Sequence, residues 1–211
     1  MSGEIVSTKV ERYLTGLGQG GDPVLAAMEE EADRRGFPIV GPIVGRFLLT
    51  LALSSRAKRV LELGSGYGYS THWFASAVGD SGLVVHTDFD DGNRRRAARY
   101  LKRAGLLRRV RFETGDALDV LRRETGKFDI IFCDIDKEAY PEVPSLAVPK
   151  LKERGLLIFD NALWSGRVTT GKGADPPTAA VRRLNSELAA REDLVTTIVP
   201  LRDGVSVSVK R

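Results

Sequence analysis

Two apolar runs that end in polar clusters constrain the fold of this chain more than any other sequence feature. Residues 128–133 and 156–159 are almost continuously apolar, and turn-forming polar residues follow each run directly. Short apolar runs bounded in this way are typical of strands buried on both faces, as in a parallel sheet. The sequence therefore predicts two interior strands of an α/β sheet.

Alternating strand and helix signals extend this interpretation along the chain. Residues 6–17, 23–35 and 42–54 favour helices, and beyond them strand signals alternate with helix signals. This order predicts an α/β fold with a Rossmann-like, doubly wound sheet, mostly parallel, with helices on both faces. A turn signal at Arg202, Asp203 and Gly204 predicts a C-terminal antiparallel hairpin. We expect seven strands, at residues 59–63, 83–87, 110–114, 128–133, 155–159, 194–200 and 205–210.

Length and composition are those of an ordinary globular protein. The 211 residues predict one domain (1–211), with an N-terminal helical part (1–55) and an α/β core (56–211). Residues 1–17 have no apolar core of a signal peptide, and no run reaches the ~18–20 apolar residues that span a bilayer. Cys133 is the only cysteine, which excludes an internal disulfide. We therefore expect a cytoplasmic protein without membrane contact.

The polar clusters after the two apolar runs are the first candidate site. Asp134, Asp136 and Lys137 follow one run, and Asp160 and Asn161 follow the other. Ligands of open α/β sheets bind at the carboxyl ends of strands, and carboxylate and amide oxygens suit divalent cations such as Mg²⁺. Each residue also has a structural alternative, namely an aspartate that caps a helix, an ordinary turn or a solvated lysine. Their common position at neighbouring strand ends favours the functional interpretation.

A segment with three alternating glycines connects the first predicted strand to the next helix: Gly64, Gly66 and Gly68. It lacks the dinucleotide pattern Gly-x-Gly-x-x-Gly, because Tyr69 stands three positions after the second glycine. Glu62 precedes the glycines; it could form a local salt bridge, but at a strand end it favours contact with a cationic ligand. Asp88 ends the second strand, where a carboxylate can accept both hydroxyls of a ribose. A cation that carries ribose without phosphates describes S-adenosylmethionine.

Together these motifs resemble the metal-dependent class I O-methyltransferases of the catechol and caffeoyl-coenzyme A type, especially small bacterial members. The resemblance extends over residues 38–211 and is carried by residues 60–71, 88, 115–118, 128–140, 157–168 and 203–204. It implies that Lys137 is the catalytic base and that a divalent cation, Mg²⁺ or else Mn²⁺ or Ca²⁺, is bound by Asp134, Asp160 and Asn161. The contacts that it implies for S-adenosylmethionine are Glu62, Gly64, Gly66, Gly68, Ser70, Asp88, Asp116, Ala117 and Asp134.

The resemblance also implies a reaction and a class of acceptor. Two adjacent hydroxyls of a small catechol-like or caffeoyl-type aromatic diol would bind the metal, which lowers the pKa of a hydroxyl. Lys137 would remove the proton, and the oxyanion would attack the methyl carbon in line with the departing sulfur. A homodimer, formed through the N-terminal helices and the terminal hairpin, is a further expectation from the resemblance.

Basic residues between positions 94 and 111 keep a second substrate class open. They form either a solvated helix face or an electrostatic footprint for nucleic acid. The second interpretation would fit a tRNA 5-hydroxyuridine O-methyltransferase of the same fold. A non-catalytic nucleotide-binding module is the alternative from another class, but binding alone needs no base such as Lys137.

Three prolines interrupt the helix expected after Lys137. Pro141, Pro144 and Pro149 fall within a dozen residues of it, and Pro144 stands where members of the family more often carry a tyrosine or another helix-forming residue. Because a mid-helix proline removes a hydrogen bond and clashes with the preceding turn, we expect a kinked or shortened helix here.

Overall fold

The computed structural model describes residues 5–17, 21–169 and 175–211. These residues form a seven-stranded sheet in the order β3-β2-β1-β4-β5-β7-β6. Strand β7 runs antiparallel to its neighbours β5 and β6, and the other neighbouring pairs are parallel. The expected fold class is therefore confirmed. The strands are β1 (Arg59–Leu63), β2 (Leu83–Asp88), β3 (Val110–Thr114), β4 (Phe128–Cys133), β5 (Leu151–Phe159), β6 (Leu194–Val199) and β7 (Val205–Lys210).

Helices cover both faces of this sheet. No helix in the described ranges is both long and apolar enough to cross a membrane. The α-helices are α1 (Thr8–Gly16), α2 (Pro23–Arg35), α3 (Gly41–Ser54), α4 (Tyr69–Val78), α5 (Asp91–Arg103), α6 (Ala117–Arg123), α7 (Val143–Ala147) and α8 (Pro176–Ala190). Short 3₁₀ segments occupy Leu107–Arg109, Lys137–Glu142, Val148–Lys150 and Trp164–Thr169.

Successive residues of the central strands enter cores on opposite faces of the sheet. Val60 and Ile130 pack in the core beneath α2 to α5, while Leu61 and Ile131 pack in the core beneath α6 to α8. All four side chains are fully buried. Because strand side chains alternate between faces, a sheet covered on both sides requires the continuous apolar runs that the sequence contains.

The N-terminal helices belong to the first of these cores. Met28 of α2 and Leu48 of α3 are fully buried in the same cluster as Phe74 of α4. Helices α2 and α3 therefore share one hydrophobic core with α4 on the same face of the sheet. The segment between them, residues 37–40, is brought to the carboxyl ends of the strands.

The prolines after β4 divide the expected helix. Lys137–Glu142 is 3₁₀, α7 spans five residues, and Val148–Lys150 is 3₁₀ again. The expected shortening is thus observed. Pro144 lies buried in the first turn of α7, facing the core rather than either of the cavities described below.

Strand β5 begins earlier than residue 155, where the sequence signal begins. It starts at Leu151, and its register against β4 shifts between Phe128 and Ile130. Residues 152–154 are exposed, so this first half of the strand lacks the apolar character of the second half. The irregular register explains why the strand could not be recognised over its whole length.

Candidate active site

The site begins at the point where the strand order reverses. Strand β1 has β2 on one side and β4 on the other, which makes the crevice between β1 and β4 the expected ligand site of a doubly wound sheet. The Asp134 amide donates to the Leu63 carbonyl at 2.8 Å. A Cβ on Gly64 would lie 2.3 Å from the Asp134 carbonyl oxygen, and Gly64 has a left-handed φ of +82°. Glycine is therefore required here, because the two backbones touch.

A cavity of about 760 Å³ opens above this crevice, and we call it the glycine-loop cavity. It brings together the candidate metal ligands and base with most of the predicted cofactor contacts. Glu62 and Gly68 are not among the described residues that line it. The predicted residues on its wall are Gly64, Gly66, Ser70, Asp88, Asp116, Ala117, Asp134, Lys137, Asp160 and Asn161.

Glu62 lies behind the glycine loop, fully buried. Burial raises the pKa of its carboxyl to about 7, and the nearby hydroxyls of Ser70, Thr71 and Ser65 lower it in part. In the described part of the chain, neither carboxylate oxygen has a hydrogen bond of normal geometry. Glu62 can therefore reach a ligand only through the residues in front of it, and its contact with the cofactor stays a prediction.

Gly68 has a packing role in the structure. Its φ is +90°, and a Cβ there would lie 2.8 Å from the Cβ of Ala97 on α5. The missing side chain lets α4 begin in close contact with α5. A direct cofactor contact by Gly68 stays a prediction.

Asp88 is held at the cavity wall by backbone and side-chain donors. Its Oδ2 accepts from the Gly66 amide at 2.9 Å, and its Oδ1 accepts from the Asp90 amide at 2.8 Å and the Asn93 amide at 3.2 Å. Burial raises the pKa of this carboxyl, and these hydrogen bonds partly offset the rise. A carboxylate has about four lone-pair positions, so acceptor capacity remains for hydroxyls of a ligand.

His86 supports the same loop from the sheet. Its Nε2 lies 3.0 Å from the Gly66 carbonyl, which can only accept, so Nε2 carries the proton. Burial lowers the pKa of the ring to about 4, which keeps it neutral. Asp116 has a comparable local role, because its Oδ1 caps α6 by accepting from the Leu118 and Asp119 amides.

A second cavity of about 630 Å³ adjoins the first, and we call it the N-terminal cavity. Side chains of α1, such as Glu11, and of the segment that precedes it, such as Val6, form one wall. Asp160 and Asn161 belong to the walls of both cavities, as do residues 37–40 between α2 and α3. Two ligands bound in the two cavities would therefore meet at the candidate metal ligands.

The chemistry of Asp134, Asp160 and Asn161 fits a hard divalent cation. Asp160 is 5% exposed, and burial, followed by the charge of Asp134, raises its pKa. A cation bound beside Asp134 and Asp160 would stabilise the ionised form of the buried Asp160 carboxyl. No group of three or more His, Cys, Asp or Glu side chains suited to a metal occurs among the described residues. The set therefore depends on the Asn161 amide and on ligands from solvent or substrate.

Irregular backbone positions Asn161 and the residues after it. Asn161, Trp164 and Ser165 have left-handed φ angles of 56°, 48° and 51°, which are rare for residues other than glycine. Asp203 fixes this segment, because its carboxylate accepts from the Ser165 amide and, at 3.3 Å, from the Asn161 side chain. Backbone strain of this kind is retained where surrounding contacts determine it, and it is common at functional sites.

Sequence reasoning missed several residues of the two cavities as site residues. Arg202 and Asp203 had no predicted role in the site, although both line the N-terminal cavity. Phe89 lines the glycine-loop cavity with 82% of its surface exposed, directly after Asp88. An exposed aromatic residue after a strand-end acid is the signal that could have identified it. Residues 37–40 carry no comparable signal.

Lys137 lies, largely buried, at the wall of the glycine-loop cavity. Its Nζ donates to Asp134 Oδ1 at 3.0 Å, the Ile135 carbonyl at 3.0 Å and the Tyr140 hydroxyl at 2.9 Å. The side chain is largely buried, and the Trp164 ring lies 5.6 Å from Nζ. The interpretation as a solvated surface lysine is thus wrong. Asp136 makes no capping hydrogen bond through its side chain with any described residue.

The basic residues near α5 are largely used in ion pairs within the protein. Asp91 pairs with Arg94 and Arg95, and Glu31 of α2 pairs with Arg96 and Arg99. Ion pairing also involves Arg109 with Asp80, and Arg111 with Glu113 and Glu124. This surface is therefore electrically more balanced than the sequence pattern indicates.

The fold and the site define a Rossmann-like, doubly wound α/β protein with a ligand-sized cavity at the switch point of its sheet. The model of the O-methyltransferase family matches residues 24–211. The chain is 33% identical to a catechol O-methyltransferase of Niastella koreensis over 95% of this chain and 96% of that protein. The chain therefore belongs to the O-methyltransferase family, whose members depend on S-adenosylmethionine, and it is an enzyme of that class.

Two solved structures extend the similarity to three dimensions. The O-methyltransferase TomG of Streptomyces achromogenes, involved in tomaymycin synthesis and solved with S-adenosylmethionine, is 29% identical, with a TM-score of 0.87 and 96% of each chain covered. An O-methyltransferase of Bacillus cereus, solved with S-adenosylhomocysteine, is 28% identical, with a TM-score of 0.88 and 97% of this chain and 98% of that chain covered.

Proposed function

We propose that this protein transfers the methyl group of S-adenosylmethionine to one hydroxyl of a small aromatic diol. In this proposal Asp134, Asp160 and Asn161 bind a divalent cation, for which Mg²⁺ is our first choice. One observation carries the proposal: the glycine-loop cavity and the N-terminal cavity share Asp160 and Asn161. A cofactor in the first cavity and an acceptor in the second would meet where the lysine base and the oxygen ligands are also located.

The glycine-loop cavity has the groups that S-adenosylmethionine needs. Asp88 retains acceptor capacity for the two ribose hydroxyls, and the exposed ring of Phe89 offers a flat face to a base. Asp134 can accept from the cationic amino group of the methionine part. The complexes of two relatives with this cofactor or its demethylated product support the same assignment.

The N-terminal cavity suits a small acceptor. Its volume of about 630 Å³ falls in the range of small-molecule pockets, and Phe37, Ile39 and Val40 give it an apolar wall. Asp160 and Asn161 stand at its inner end. A bound cation would supply Lewis-acid stabilisation of an ionised hydroxyl there. The catechol O-methyltransferase of Niastella koreensis supports a diol as the acceptor class.

Each residue group of the cleft would have a separate role in the reaction. The neutral amine form of Lys137 would accept the proton of the acceptor hydroxyl, and the ammonium that forms would donate to Asp134 at the wall of the glycine-loop cavity. Asp88 and the glycine loop fix the cofactor, and the segment around Trp164 limits access of water. Much of the acceleration comes from holding the oxygen about 3 Å from the methyl carbon in an aligned geometry.

A tRNA acceptor is less well supported. The arginines that would form its footprint are largely paired with Asp91, Glu31 and other acids of the same protein. Arginines bind nucleic acid by replacing the counterions that are condensed on its phosphates. Arginines that are already paired with carboxylates of the protein are less available for this exchange. tRNA nevertheless belongs in the test panel.

Transfer of a labelled methyl group from S-adenosylmethionine tests the proposal. The acceptors are catechol, caffeate, its coenzyme A ester, resorcinol as the non-vicinal control, and bulk tRNA from a strain that lacks the gene. We expect labelled vicinal diols in the presence of Mg²⁺, no labelled resorcinol, and at least about 100-fold less product after EDTA treatment. Labelled tRNA with inert diols, or transfer that is insensitive to EDTA, would contradict the proposal.

We also propose a homodimer. Tyr13 of α1, Leu17 directly after its end and Leu53 of α3 are more than half exposed, as is Val195 on the edge strand β6. Large apolar side chains at the surface support burial against a second copy. Light scattering after size-exclusion chromatography should give twice the mass of 23.1 kDa. A mass of one chain at micromolar concentration would contradict the dimer.

A further inference from the structure

The ammonium group of Lys137 has all three of its protons engaged. Its partners are Asp134 Oδ1, the Ile135 carbonyl and the Tyr140 hydroxyl, at 2.9 to 3.0 Å. Two of these partners are charged or backbone groups that any strand-end lysine could find. The third is a side-chain hydroxyl brought from the following 3₁₀ segment.

The Tyr140 hydroxyl connects Lys137 to the other candidate strand end. It accepts from Lys137 Nζ and donates its own proton to the Asp160 carbonyl at 3.0 Å, with the Cys133 carbonyl more distant at 3.4 Å. The ring is fully buried and packs on Phe159 with 5.1 Å between centroids. The hydroxyl is therefore carried by a fully buried side chain of the 3₁₀ segment and is anchored to the backbone directly after β5.

A lysine needs such a support to act at a fixed point. Its four-carbon side chain has several rotatable bonds, and an unrestrained Nζ would sample positions several ångströms apart. Displacement of a reacting group by about 1 Å can cost about 100-fold in rate. A rigid hydroxyl beside Nζ removes this freedom without adding a charge.

We propose that Tyr140 is a positioning residue that holds Lys137 Nζ at the wall of the glycine-loop cavity and links it to the backbone of Asp160. This inference rests on the proposed role of Lys137 as the base. The competing interpretation is that Tyr140 only fills the core beneath α7 and α8, in which case its hydroxyl has no effect on Lys137.

Tyr140→Phe tests the inference, with Tyr100→Phe as the matched control. Tyr100 is also buried, and its hydroxyl donates to Glu31 at 2.6 Å, but it lies outside the described walls of both cavities. We expect kcat to fall about 10- to 100-fold in Tyr140→Phe. The acceptor KM and the Kd of S-adenosylhomocysteine should change less than about 2-fold, and Tyr100→Phe should keep the wild-type kcat. Wild-type kcat in folded Tyr140→Phe would overturn the proposal.

A double-mutant cycle separates action through Lys137 from other effects. If Tyr140 acts through Lys137, adding Tyr140→Phe to Lys137→Ala should slow the residual reaction less than about 2-fold. An equal further loss in the Lys137→Ala background would show that the hydroxyl acts on something else, and it would overturn the inference.

Nuclear magnetic resonance of ¹⁵N-lysine protein gives a readout that needs no turnover. A buried ammonium with three hydrogen bonds exchanges its protons slowly, so Lys137 should give an NH₃⁺ signal that disappears in Lys137→Ala. We expect this signal to shift or broaden in Tyr140→Phe and to stay unchanged in Tyr100→Phe. An unchanged signal in Tyr140→Phe would overturn the inference, even in a protein that methylates none of the diols tested.

Discussion

Around the glycine loop the functional groups stand on regular strand ends and helix starts, whereas around Asp160 and Asn161 they stand on irregular backbone. Asp88 is the last residue of β2, and two of the three hydrogen bonds that its carboxylate accepts come from residues within five positions along the chain, while the third comes from Gly66, 22 residues away. Asn161, in contrast, has a left-handed φ and depends on Asp203, which is 42 residues away. The cofactor side of the cleft is thus built mainly from neighbouring residues, and the acceptor side is built from distant segments.

This difference has a consequence for how each side fails. When one residue of a locally built site is replaced, single contacts to the ligand are lost, and we expect the change in the Kd of the ligand. When one residue of a site assembled from distant segments is replaced, the geometry of the reacting groups is lost, and we expect the change in kcat. The following changes test that division, from the largest expected effect to the smallest.

Lys137→Ala should lower kcat by about 10²–10⁴-fold, because it removes the general base. The Kd of S-adenosylhomocysteine, measured by calorimetry, should change little. Lys152→Ala is the control, since Lys152 pairs with Asp129 near the start of strands β4 and β5, at the opposite end from the cavities. Full activity in Lys137→Ala would remove the base from the proposed mechanism. Lost binding of S-adenosylhomocysteine in this variant would contradict the division of the cleft into a cofactor side and an acceptor side.

Gly64→Ala should damage both sides together, because Gly64 is the point where they touch. Left-handed strain and a Cβ placed 2.3 Å from the Asp134 carbonyl oxygen should lower the free energy of unfolding by about 3 kcal/mol. Gly105→Ala isolates the strain, since Gly105 has a φ of +71° but open space around its Cβ position. That control should lose about 1–2 kcal/mol in urea unfolding. Equal losses in the two variants would show that the contact with Asp134 is unimportant.

Glu62 should make stability fall as the pH rises. Its carboxyl has a pKa of 4.5 when unfolded and about 7 when buried, so its contribution is complete below pH 4.5 and is lost as the pH rises to 7. The loss amounts to about 3 kcal/mol at most. Urea unfolding between pH 4.5 and 7.5 should show this slope in the difference between the cofactor-free wild-type protein and Glu62→Gln, because the other buried carboxyls, Asp88 and Asp160, contribute equally to both.

The comparison of these two proteins cancels the contribution of His86. Its pKa falls from 6.5 to about 4 on folding, so its contribution is lost in the opposite direction, as the pH drops from 6.5 toward 4. Parallel stability curves for the wild type and Glu62→Gln would mean that Glu62 is ionised in the folded protein.

Asp88→Ala should weaken binding of S-adenosylhomocysteine about 10- to 100-fold, because the hydrogen bonds to the ribose are lost. With saturating cofactor, kcat should stay within a few-fold of the wild type. Asp90→Ala is a suitable control, since Asp90 caps α5 next to Asp88 without lining either cavity in the described residues. Lowered kcat at saturation would show that the cofactor side also governs the chemical step.

Regular elements were predictable because their signals are local. The limits of β1, β3, β4, β7 and α2 agree with the sequence expectations, since each is bounded by glycine, proline or polar turn residues. Strand β5 was recognised only from Gly155 onward, because its first residues are exposed and out of register. Asp134 and Lys137 were recognised as candidates because they follow the same apolar run, but the contact of Tyr140 with Asp160 was not, because it depends on how β4 and β5 pair.

The sequence by itself determined the class of sheet, the glycine loop and the strand-end acids, because each depends on a short run of neighbouring residues. The tertiary structure alone decided which of these residues reach a cavity. It left Glu62 and Gly68 off the described cavity walls, and it added Asp203, Arg202 and residues 37–40 to the cleft. Which side chains face a common space is fixed by the order and twist of the whole sheet, and no local pattern in the sequence contains that information.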